Sequence, residues 1–155
     1  MEKKIYEVIV DYKKTINQMV SRGNYDTVAG GFSDQLFKLM GKGQHAFNLV
    51  IISVKEILEW LDVYSGTEQF DVTTKQVNVY MSNHGLSVAS VEHLLAFGAT
   101  YPEMQMELDI VALGNVSIIP ILVNYGPELG RGLTLMSDEF EGDWSERFNF
   151  LAISK

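Results

Sequence analysis

Apolar and polar positions alternate along the chain in short runs, and the periods of those runs predict a mixture of strands and helices. Residues 5–10, IYEVIV, are rich in β-branched side chains and predict a strand. A helical stripe through Ile5, Val8, Ile9, Tyr12, Ile16, Met19 and Val20 is the rival pattern, but β-branched crowding disfavours its first half. Residues 14–22 read as a helix with Ile16, Met19 and Val20 on one face, closed by Gly23, with Arg22 at the negative end of its dipole. Asn24-Tyr25-Asp26 reads as a turn and Gly30-Gly31 as a joint. Residues 47–54, FNLVIISV, are apolar on both faces and predict a central strand. A helix over 55–64 follows, with Ile57, Leu58 and Leu61 inward and Trp60 in the core or half-buried.

Asp71 or Thr73 is placed to cap a helix over 75–83, which Gly85 closes. Ser87 or Ser90 caps the next, whose face carries Val91, Leu94, Leu95 and Gly98. Gly98 suits a left-handed C-terminal position, and Pro102 stops the helix soon after. Two helices so close in sequence predict a helical hairpin or corner. Beyond them the texture turns to β. Strands are predicted over 110–113, 116–123, 132–136 and 147–154, with Pro120 marking an edge or a bulge in the second. The expected architecture is a single α+β domain over 1–155, helices packed on a mostly antiparallel sheet.

The chain has 155 residues, 46% of them hydrophobic and 21% charged, which suits a folded domain with a core of its own. With no cysteine, disulfides, thiolate metal sites and a cysteine nucleophile are excluded. The formal net charge is −8, a field that repels phosphate backbones, so direct nucleic-acid binding is not expected. Residues 87–98 also lack any Lys or Arg with which a helix-turn-helix meets DNA. No N-terminal segment has the pattern of a signal peptide, and the longest apolar run is far below membrane-spanning length. The expected setting is soluble and cytoplasmic, away from the membrane.

Segment 94–115, LLAFGATYPEMQMELDIVALGN, with the closing RFNFLAISK and the RGNYD at 22–26, resembles an uncharacterised group of bacterial and phage hypothetical proteins. That group pairs a TxxELLALGxxYPxLQxxFPIVALGS-like segment with a YRFLAVRK-like strand. Leu108-Asp109 departs from its Phe-Pro, and Ser154 from its usual arginine. The resemblance implies a phage or mobile-element origin and supplies no catalytic residues.

Candidate chemistry is sparse. His84 ends one predicted helix and His93 lies on the next beside Glu92, so a cleft built from His84, His93 and Glu92 is one reading, for a small ligand or a hydrolytic reaction. Glu92 and His93 are adjacent on a helix and point apart, and no HExxH spacing exists. Gly41-Lys42-Gly43 lacks the length and ending of a phosphate loop, and no GxSxG elbow appears. The acids Asp138, Glu139, Glu141 and Asp143 lack the frame of a calcium loop. No catalytic residue, metal site or cofactor is assigned. The leading expectation is a non-enzymatic, acidic protein-interaction module, an inhibitor or accessory protein that occludes a basic surface on another protein. Contact is placed at Asp138, Glu139, Glu141 and Asp143, with Trp144 and Tyr125 as aromatic anchors.

Overall fold

Three helices begin on the same local device, a hydroxyl residue followed three positions later by glutamine or glutamate. In the computed structural model, which describes residues 3–62, 71–115, 118–137 and 143–155, Thr15 and Gln18 cap α1 (Ile16–Arg22). Ser53 and Glu56 cap α2 (Val54–Trp60), and Thr73 and Gln76 cap α3 (Thr74–Asn83). In each pair the hydroxyl accepts the N–H of the later residue, whose side chain accepts the N–H of the first. At α4 (Val91–Thr100) a histidine takes the glutamine's place: the Ser90 N–H donates to His93 Nδ1 at 3.0 Å.

The strands are β1 (Tyr6–Asp11), β2 (Thr27–Val28), β3 (Gln44–Ser53), β4 (Val72–Thr73), β5 (Leu86–Val88), β6 (Asp109–Val111), β7 (Ile118–Asn124), β8 (Arg131–Ser137), β9 (Asp143–Trp144) and β10 (Phe148–Ser154). Seven lie side by side in the order β1-β3-β10-β6-β7-β8-β2. β10 sits in mid-sheet. One flank pairs with β3; the other is shared, β6 running parallel to Phe148–Phe150 and β5 antiparallel to Ala152–Ser154. β4 and β9 form a separate short ladder.

The α+β class holds, but the sheet is mixed rather than mostly antiparallel, because β6 pairs with β10 and β2 with β8 in parallel. Parallel neighbours need a long connection, and the β7–β8 hairpin lies between β6 and β10 in the chain.

Strand alternation sorts the core into two layers, one on each face. Leu49, Ile110, Leu122 and Leu151 point to the face covered by α1 and α4. Val50, Ile52, Val111, Ile121 and Phe150 point to the face covered by α2 and α3. Leu94 and Leu95 of α4 are fully buried, and shortening either to alanine costs about 2–5 kcal/mol.

Three local expectations are corrected. Residues 75–98 form no helical hairpin. Between α3 and α4 the chain runs as β5 along β10 and crosses from one face of the sheet to the other, with the Ala89 N–H donating to Leu151 O. Gly98 is no left-handed terminus; it lies inside α4, where close approach of Tyr25 and Leu122 leaves no room for a side chain. Pro120 lies inside the sheet, with strands on both sides of β7. Its carbonyl accepts the Ala112 N–H just past the end of β6, so the missing proline donor falls where that neighbour runs out.

Candidate functional site

The β5 crossing decides the fate of the two histidines. His84 caps α3 on the α2/α3 face, where Nδ1 lies 2.8 Å from Tyr80 O and the ring stacks on Tyr80 at 3.9 Å. Half-exposed Trp60 meets both rings edge-on. His93 is buried on the opposite face, edge-on to Phe47 at 4.5 Å. Because Nδ1 accepts the Ser90 N–H, the neutral ring carries its proton on Nε2, a buried atom without a hydrogen-bond partner. Burial holds this imidazole below its ordinary pKa, against the opposing pull of the Glu92 charge. His84, His93 and Glu92 therefore do not form one cleft.

Glu92 does line a cleft by itself. Its residue is 8% exposed, and Oε2 accepts from the Tyr12 hydroxyl at 3.2 Å. Burial and the Glu92 charge together push the Tyr12 phenol up to about 12. The cleft, about 180 Å³, lies between the end of β1, α1 and α4. Val10, Met19, Leu95 and Ala96 form its apolar wall, while Asp11, Lys14, Arg22 and Glu92 bring charge.

A second hollow, about 480 Å³ and more open, lies where β6, β7 and the start of β10 meet a single 3-10 turn, Met104–Met106. Glu107, Asp109 and Glu146 line it beside Arg147, which is ion-paired with Asp109. Its inner wall includes Gln105, which is 1% exposed. Gln105 Nε2 donates to Val123 O at 2.8 Å and to Gly132 O at 2.9 Å, leaving Oε1 buried without a partner.

The residues expected to contact a partner divide three ways. Asp138, Glu139 and Glu141 lie outside the described residues. Asp143 is exposed on β9. Trp144 is 0% exposed: β9 pairs with β4, and the indole packs against Phe148 and Phe150 while Nε1 donates to Thr74 Oγ1 at 2.9 Å. It belongs to the core and offers no anchor to a partner. Tyr125 is 42% exposed, with one ring edge lying over Gly132.

Arg131 escapes a reading of the sequence, yet with Tyr25 it ties the molecule together. Nη1 of Arg131 donates to Gly23 O at 2.6 Å, just past α1, and Nη2 to Gly98 O at 2.8 Å in the last turn of α4. One guanidinium thus serves the carbonyl ends of two helices, where positive charge is favoured. Its Cζ lies 4.8 Å from the Tyr25 ring centroid, and Asp26 Oδ2 accepts the Arg131 backbone N–H. The one signal for this role is its isolation, since Arg131 is the lone Lys or Arg between Lys75 and Arg147.

Among the described residues, no three His, Asp or Glu side chains are grouped so as to hold a metal ion, and no helix is long and apolar enough to cross a membrane. No protein-family model matches the chain, and neither a curated protein nor a solved structure is significantly similar to it.

Proposed function

We propose that the chain is a non-enzymatic, acidic interaction module that occludes a basic surface on a protein partner. The observation that carries this reading is the acidic hollow where β6, β7 and the start of β10 meet. Glu107 and Glu146 line it with Asp109, which is paired with Arg147, and exposed Met106 lies among them. From Glu92 to Glu146 one base, Arg131, stands against every carboxylate, and its guanidinium is spent on backbone carbonyls. The bases gather instead in the first half of the chain. The carboxylates of the hollow steer a basic partner to it, and exposed Met106 adds apolar contact area there, with exposed Tyr125 as a further aromatic anchor. Inhibition or an accessory role in a phage or mobile-element setting, in the cytoplasm, is the biology this mechanism fits.

Capture of partners from the native host by the wild-type chain and by a Glu107→Lys/Glu146→Lys variant tests it. A protein with a basic surface is expected to bind the wild type, to leave it as salt rises past about 0.5 M, and to be lost with the variant. Equal capture by both chains, or indifference to salt, refutes the proposed surface.

A further inference from the structure

We propose that the cleft between β1, α1 and α4 binds a small zwitterion, an amino acid or a close analogue, with its ammonium group at Glu92 and its acidic group at Lys14 and Arg22. This is a different site from the acidic hollow and stands independently of the partner proposed there.

Glu92 is the most deeply buried acid among the described residues, and a buried carboxylate is costly unless paired or well hydrogen-bonded. Its place in the first turn of α4 and the Tyr12 hydroxyl on Oε2 offset part of that cost. Oε1 receives no hydrogen bond from the described residues. Lys14 and Arg22 line the same cleft, yet neither ion pair of the described residues includes Glu92, Lys14 or Arg22. One cavity therefore holds two acids and two bases with no ion pair among them, Asp11 being held at its own turn by the Lys13 N–H. A molecule carrying both charges, ammonium toward Glu92 and carboxylate toward the bases, completes both pairings.

The remaining wall fits the rest of such a molecule. Val10, Met19 and Leu95 offer apolar surface, and Ala96 and Ala99, three apart on α4, keep the helix side shallow. A volume of about 180 Å³ accommodates a compound of about ten non-hydrogen atoms. Net acidic or net basic ligands leave one set of charges unmet, so both charged groups are part of recognition.

Calorimetric titration with the twenty standard amino acids tests the site. At least one is expected to bind, and its decarboxylated amine and its deaminated acid are each expected to bind at least about tenfold more weakly. Glu92→Gln is expected to weaken the amino acid by at least about tenfold, and Lys14→Met/Arg22→Met to weaken the amino acid while sparing the amine. Ala96→Leu, which fills the cleft and leaves every charged residue of the lining in place, is expected to block binding and provides the check if Glu92→Gln does not fold. Absence of binding by every amino acid overturns the proposal. So does affinity that survives both Glu92→Gln and Ala96→Leu, or an amine that binds as tightly as its parent.

Discussion

Replacing Gly98 with alanine puts two opposed effects at one position. Alanine is favoured over glycine within a helix by about 1 kcal/mol, and nothing in the backbone of α4 opposes it. The added methyl, however, would overlap the Tyr25 hydroxyl and stand 3.1 Å from both Tyr25 Cζ and Leu122 Cδ2. The hydroxyl cannot simply swing aside. Its ring is pressed on Gly23 and lies beneath the Arg131 guanidinium, so moving it disturbs the group that serves the ends of α1 and α4. Overpacking of this kind costs about 1–3 kcal/mol, so against the helix gain Gly98→Ala is expected to destabilise by up to about 2 kcal/mol net. Tyr25→Phe removes the clashing atom, and because that hydroxyl is buried without a partner, the change alone is expected to be neutral or stabilising by up to about 1 kcal/mol. In the double variant the severe overlap with the hydroxyl is gone and only the 3.1 Å contacts remain, giving a favourable coupling of about 1–3 kcal/mol. Urea unfolding followed by the fluorescence of buried Trp144 measures all four chains. A Gly98→Ala chain more stable than wild type, or two changes that merely add, would refute the reasoning.

Three further outcomes follow from the same contacts. His93→Gln keeps an acceptor for the Ser90 N–H and removes a buried group that resists ionisation. Its pKa is depressed on folding, so the contribution of His93 is complete above about pH 6.5 and is lost as pH falls below it; the wild type should weaken between pH ~7.5 and ~5.5 more than His93→Gln does, as paired denaturant titrations will show. Arg131→Lys retains charge but cannot reach Gly23 O and Gly98 O with one planar fork, and is expected to cost about 2–3 kcal/mol in thermal unfolding. Tyr25, like Tyr12, is raised to about 12, chiefly by burial; stability they lend is therefore whole below pH 10 and lost as pH climbs toward 12, so Tyr25→Phe should flatten the alkaline limb of a pH–stability curve by at most about 3 kcal/mol.

Regular elements are legible in the chain where one residue's neighbours settle its state. The strand patterns near 5–10 and 147–154 meet β1 and β10 within a residue or two, and Gly85 closes α3 with a positive φ as expected. The hydroxyl-x-x-Gln/Glu spacing at Thr15, Ser53 and Thr73 marks three helix starts in sequence alone, although apolar periodicity draws attention first. β5 is different. Leu86-Ser87-Val88 has no period long enough to distinguish a strand from a turn, and only the flank of β10 beyond β6 makes it one. That single hidden strand turned a supposed helical hairpin into a crossing and placed His84 and His93 on opposite faces. Trp144 misleads for a similar reason: its acidic neighbours suggest surface, while its pairing with distant Val72 buries it. Glu92 was visible as a candidate, but the bases that share its cleft come from α1 and the turn before it, a proximity that no spacing reveals.

β10 also sets a timetable for folding. Its partners β3, β5 and β6 are all synthesised well before it, yet each meets the sheet's centre only through it or beside it. Until residue 154 has left the ribosome, β1–β3 and β6–β7–β8 are two separate ribbons with unpaired inner edges. Assembly therefore waits on a long-range closure that follows the synthesis of every other strand in the sheet, a slow class of folding event, and the nascent chain must keep those edges from pairing with a neighbour's in the meantime.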